Sequence, residues 1–106
     1  MSVKMTILAL LVIFQIPKIV HAQDKVGQKA AQSCTACHGE HGISLNSLWP
    51  NLAGQKKDYL MKQLHDFRGG NRKNSLMSPM SQILSDKDIE EIAIYFSSLE
   101  LSLSNK

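Results

Sequence analysis

The chain has 106 residues and a formal net charge of +3 at pH 7 with histidines neutral; 43% of its residues are hydrophobic and only 6% aromatic. These residues suffice for one small domain with a modest apolar core. The positive balance resides largely at the start: without Lys4 and Lys18, ten basic residues face nine acidic ones, which leaves no nucleic-acid footprint.

The first segment reads as a secretory leader. Lys4 supplies a positive n-region. Met5–Ile16 forms an apolar h-region interrupted by Thr6 and Gln15, and Pro17 ends it. Val20-His21-Ala22 puts small or tolerated residues at the −3 and −1 positions of a cleavage point, although Lys18 is unusual in such a segment. The run is too short to span a bilayer, which takes about 20 apolar residues. Cleavage of residues 1–22 from the 106 would leave a single domain of 84 residues, 23–106. A domain of that size commonly needs a disulfide, metal or cofactor as a staple.

The spacing predicts a first helix from about Asp24 to Cys37. Val26, Ala30, Ala31 and Cys34 recur at helical intervals, with Gly27 on the same face. Glycine costs about 1 kcal/mol of helix propensity, so a close helix crossing is the expected reason for it.

This helix ends in Cys34-Thr35-Ala36-Cys37-His38, which is the attachment motif for c-type haem. Residues i and i+3 lie on one helical face about one turn apart, so two thiols at this spacing can form thioethers with two vinyl groups on one side of a haem. The next residue, His38, is then placed to ligate the iron. A thioredoxin-like redox pair would call for a βαβ context, and no strand pattern flanks the motif. A structural zinc site needs four ligands, and there is no second Cys-x-x-Cys. A simple disulfide remains open in an exported chain.

A Gly-, Ser-, Asn- and Pro-rich loop follows, from Gly39 to Gln55. The second helix is expected from Lys57 to Arg68, with Leu60, Leu64 and Phe67 on one face and Gly69-Gly70 as its stop. Residues 70–84 contain Pro79 and scattered serines and read as irregular. The third helix starts at an N-cap, Ser85, with Asp86 and Asp88 at the positive end of its dipole. Ile89, Ile92, Ala93, Phe96 and Leu99 form its apolar stripe, and the tail from Ser102 is expected to fray. The predicted class is all-α.

A haem with one histidine needs a second axial ligand or has an open site. Methionine suits electron transfer, since its thioether favours ferrous iron. Met61 lies within the second helix, where core filling is the simpler role. Met77 and Met80 lie in the segment read as irregular, and spacing does not choose between them.

Cys34-Thr-Ala-Cys-His38-Gly, Trp49-Pro-Asn-Leu-Ala-Gly-Gln55, Tyr59-Leu-Met-Lys-Gln-Leu64, Met77-Ser-Pro-Met-Ser-Gln-Ile-Leu-Ser-Asp86 and Ile92-Ala-Ile-Tyr-Phe96 together resemble a class I c-type cytochrome. The likeness is to small bacterial monohaem cytochromes and to one half of the periplasmic dihaem cytochromes. It covers essentially all of 23–106. It implies the cytochrome c fold, with three main helices and loops around one covalently bound haem c. Cys34 and Cys37 would carry the haem, His38 would be the proximal iron ligand and Met77 the distal one, with Met80 as the alternative. Pro50 would offer its carbonyl to the ligand histidine, and Trp49 would touch the haem edge. Gly27 would lie where the first and last helices cross, near Tyr95 or Phe96.

The resemblance further implies a monomeric periplasmic protein, not an enzyme, that shuttles single electrons between respiratory partners. These would be a donor dehydrogenase or quinol-oxidising complex and an acceptor oxidase or reductase. Arg68, Arg72, Lys73, Lys56 and Lys57 could steer an acidic partner, or simply form a solvated surface. His41 and His65 read as solvated. Two other functions stay open: the electron-accepting haem subunit of a larger oxidoreductase, and a ligand-binding haem enzyme or sensor.

Overall fold

The computed structural model describes residues 22–101, with side chains described from Gly27 onward. The leader expected over 1–22 and the tail from Ser102 therefore lie, but for Ala22, outside the described residues. Four helices follow in order: α1 Ala22–His38, α2 Lys57–Gly69, α3 Met77–Gln82 and α4 Asp86–Ser98. No strand occurs among the described residues. The three longer helices match the expected ones closely: α1 starts two residues earlier and ends one later, so that His38 is its last residue, and α2 ends one residue later, at Gly69.

The amphipathic stripes close on one another. Leu60 and Leu64 of α2 meet Ile89, Ile92, Ala93 and Phe96 of α4 and Ala31 of α1 in one buried cluster. Cys34, Met61, Met77, Leu84 and Leu99 pack against its margin. Helix α4 is the centre of the arrangement, packing on both α1 and α2, while α3 packs on α2.

The α1–α4 crossing is close because Gly27 has no side chain. A Cβ there would lie 2.9 Å from the Glu91 carbonyl oxygen and 3.0 Å from Tyr95 Cβ. The Tyr95 and Phe96 rings meet edge to face with centroids 5.1 Å apart. Helix α4 begins with a full capping box: Asp88 N–H donates to Ser85 Oγ at 3.0 Å, and Ser85 N–H donates to Asp88 Oδ2 at 2.9 Å.

One expectation is corrected. Residues 70–84 are not irregular throughout, because Met77–Gln82 is a short helix. Pro79 is its third residue, inside the first turn, where a backbone N–H has no intrahelical acceptor to lose. The start of the turn is held by Asn74, whose Oδ1 accepts the N–H groups of Leu76 and Met77, each at 2.9 Å. Both candidate methionines are therefore carried on a helical turn, three residues apart.

Candidate functional site

The motif occupies the C-terminal turn of α1. Cys34 and Cys37 lie one turn apart, Cys34 half-buried against the core and Cys37 exposed. Burial pushes the Cys34 thiol above its ordinary pKa; a hydrogen bond with Ser33 opposes this and neighbouring Cys37 adds to it. Gly39 ends the helix with φ +91°, a backbone conformation natural to glycine, and its N–H donates to Thr35 O at 3.0 Å.

His38 is only 7% exposed. Its Nδ1 lies 2.8 Å from the Pro50 carbonyl oxygen. A carbonyl only accepts, so Nδ1 carries the proton and, in the neutral ring, Nε2 keeps a free lone pair. The loop bearing Pro50 is fixed from two sides. Leu52 and Ala53 N–H groups both donate to Gly42 O, at 2.8 and 3.0 Å, and Gly54 N–H donates to Phe96 O of α4 at 2.9 Å. Trp49 is half-buried on this loop, its backbone N–H donating to Asn46 O at 3.1 Å.

The methionine segment is tied down by contacts that the sequence does not advertise. Arg68, at the end of α2, donates to Leu84 O and to His65 Nδ1, each at 3.0 Å, and to Asp86. Gln82 Nε2 returns a bond to Arg68 O at 3.0 Å. Helix α3 is thereby held between the end of α2 and the start of α4. Met77 is half-buried and packed on the core, whereas Met80 is 39% exposed. Met61 packs on the core margin, as a filler would.

Several of the basic side chains proposed for partner steering engage the chain itself. Arg72 stacks on Phe67, 4.4 Å from the ring centroid, and donates to Gln63 at 2.7 Å. Lys57 pairs with Glu90 at 3.5 Å. His65 is not simply solvated, since its Nδ1 accepts from Arg68; His41 is exposed. Asn74 and Ser81 are residues a reading of the sequence passes over, and Arg68, read there as a partner-steering charge, instead bonds to Leu84, His65 and Asp86. Only Asn74, a residue type that commonly caps turns, carries a local signal.

The donor set suits a haem: two thiols at i and i+3, an imidazole whose Nδ1 is engaged by Pro50 O so that Nε2 is left to bind a metal, and a thioether on a fixed turn. Ile43, Leu45, Leu48, Leu76, Met80 and Ile83, in the segments following the motif and around α3, are exposed aliphatic or thioether side chains. Such surface suits a large apolar ligand better than water. Among the described residues, no group of three or more His, Cys, Asp or Glu side chains gathers as a protein-only metal site would require. No described helix is long and apolar enough to cross a membrane.

Residues 22–96 match the family described as cytochrome C oxidase, cbb3-type, subunit III. The chain is 46% identical over 81 residues to cytochrome c-554(548) of Halomonas halodenitrificans, covering 74% of this chain and 92% of that protein. Reduced recombinant cytochrome c4 from Pseudomonas stutzeri superposes with a TM-score of 0.68 at 37% identity, over 74% of this chain and 49% of the other. A thiosulfate dehydrogenase electron acceptor of Stutzerimonas stutzeri is 39% identical over 69 residues, covering 62% of this chain and 32% of that protein. The chain thus spans nearly the whole of the first relative but half or less of the other two.

Proposed function

Since the chain belongs to the class I c-type cytochromes, a family whose members carry covalently bound haem c, we propose that it is a periplasmic carrier of single electrons between respiratory redox partners. The observation that carries the reading is the His38–Pro50 hydrogen bond, which leaves Nε2 free as a metal donor. Haem c supplies the ferrous/ferric couple.

The chain's own residues supply attachment, ligation and rigidity. Cys34 and Cys37 provide the thioether sulfurs, and the exposure of Cys37 puts this attachment edge at the surface, where a partner can approach. His38 would be the proximal ligand, its ring oriented by Pro50 O. Met77 would be the distal ligand, and its soft sulfur would favour the ferrous state. Trp49 packs at the edge of the site. Arg68 holds α3 through Leu84 and Gln82, which would keep Met77 in place when an electron is exchanged.

In this reading residues 1–22 are removed on export and 23–106 form one monomeric domain that performs no catalysis of its own. Its partners are a donor dehydrogenase or quinol-oxidising complex and an acceptor oxidase or reductase. The likeness to a thiosulfate dehydrogenase electron acceptor supports a second reading, a haem subunit held by a larger oxidoreductase. Co-purification with a partner through high salt would favour the second.

The test is the optical spectrum of the periplasm-matured protein in both oxidation states. A low-spin c-type spectrum with the weak far-red sulfur-to-iron band is expected. A high-spin spectrum without that band, or a protein without haem, would overturn the reading.

A further inference from the structure

Ser81 is fully buried, and its Oγ has no hydrogen-bond partner. An unpaired buried hydroxyl costs about 1–3 kcal/mol. A serine inside a helix commonly relieves this by bonding to the carbonyl four residues earlier, which here is Met77 O, and that bond is not made. A buried polar group left unsatisfied in an otherwise well-bonded segment calls for a partner that arrives with function.

The position of Ser81 on α3 indicates which one. It follows Met77 by four residues, so the two share a face. Helical side chains lean toward the N-terminus, which directs the Ser81 hydroxyl over the turn that carries Met77. Met80 immediately precedes Ser81, about 100° away around the helix, and faces elsewhere. A thioether sulfur keeps a second lone pair when the first is given to a metal, and can accept a weak hydrogen bond with it.

We propose that Ser81 Oγ–H donates to the Met77 sulfur once that sulfur is an iron ligand, weakening its donation to ferric iron and raising the reduction potential. This rests on the reading of Met77 as the distal ligand. Ser81 is then a positioning residue, acting through the methionine. Hydrogen bonds to metal-bound sulfur are among the features that set such potentials.

The experiment uses the matured holoprotein and four variants: Met77→Ala, Met80→Ala, Ser81→Ala and Ser81→Thr. The far-red band should vanish in Met77→Ala and survive in Met80→Ala. Survival in Met77→Ala with loss in Met80→Ala would overturn the Met77 reading itself. In Ser81→Ala the band should persist but move, the ferric protein should bind added imidazole several-fold more weakly, and the potential should fall. A tenfold change in the ferrous:ferric ratio at fixed potential would correspond to 59 mV. Ser81→Thr keeps the hydroxyl and should retain the parent values. A merely structural serine predicts for Ser81→Ala a raised melting temperature with band, imidazole affinity and potential unchanged. That result, or equal shifts in Ser81→Ala and Ser81→Thr, would overturn the inference while leaving Met77 ligation standing.

Discussion

His38 donates its Nδ1–H to the carbonyl oxygen of Pro50, 2.8 Å away and twelve residues along the chain. One bond thus fixes the tautomer, the ring orientation and the path of the loop. It depends on more than the two residues, because the Pro50 loop is itself anchored to Gly42 O and to Phe96 O of α4. The buried imidazole is set by the last helix as much as by the first.

Replacing Pro50 with glycine should loosen that anchor while keeping the carbonyl. The added freedom of the unfolded chain should cost about 0.4–1 kcal/mol of stability. With His38 as the proposed iron ligand, a weaker bond to Nδ1 would make the imidazole a poorer donor to ferric iron, so the potential should rise. Redox titration beside urea unfolding checks both; an unchanged potential would mean that Pro50 only shapes the loop.

Gly27→Val should destabilise the fold by about 1–3 kcal/mol through overpacking. The first atom met is a backbone carbonyl oxygen, which cannot rotate aside as a side chain would. Thermal unfolding of the holoprotein reads this directly. A melting temperature equal to the parent's would show that the α1–α4 crossing opens without cost.

Ser85→Ala should cost about 1 kcal/mol, the usual effect of removing a side-chain N-cap. Asp88 N–H loses its acceptor in this variant. Urea denaturation should show a lower midpoint with an unchanged slope, since the surface exposed on unfolding stays the same. Ser85→Thr, which keeps the acceptor oxygen, should recover most of the loss.

Stability should fall in acid. The Arg68 hydrogen bond holds the Asp86 carboxyl below its ordinary range, the Ser85 backbone N–H does the same for Asp88, and Lys62 for Asp66. Each group binds its proton more readily unfolded than folded. Their contribution is complete above the unfolded value, about 3.9 for aspartate, and is lost as pH falls through the lower folded values. Melting temperature should therefore be flat from neutral pH to about 5 and drop below about 4. Asp86→Asn should flatten the acid limb; a limb as steep as the parent's would remove Asp86 from this account.

The three longer helices and the attachment motif were legible because their signals are local. Leu60, Leu64 and Phe67, and Ile89, Ile92 and Phe96, repeat at helical intervals, and each is buried where that repeat points. The spacing of Cys34 and Cys37 is a covalent fact of the chain, and Ser85 with Asp88 announces a helix start within four residues. Pro79 misled for an equally physical reason: proline breaks a helix interior but is tolerated in a first turn, and its place in a turn depends on where the helix begins. Asn74 decides that beginning.

The sequence by itself determined the all-α class, through the helical spacing of three separate segments, and placed two thiols and a histidine in the pattern of a haem-attachment motif, through residue type over 34–38. Only the tertiary structure decided that the Pro50 loop is anchored to the last helix, that Arg68 ties the methionine segment to both neighbouring helices, that Met77 is packed inward while Met80 is more exposed, and that Ser81 is buried without a partner. Each of these depends on what a side chain meets across the fold. Burial and hydrogen-bond satisfaction are properties of that meeting and have no period in the chain.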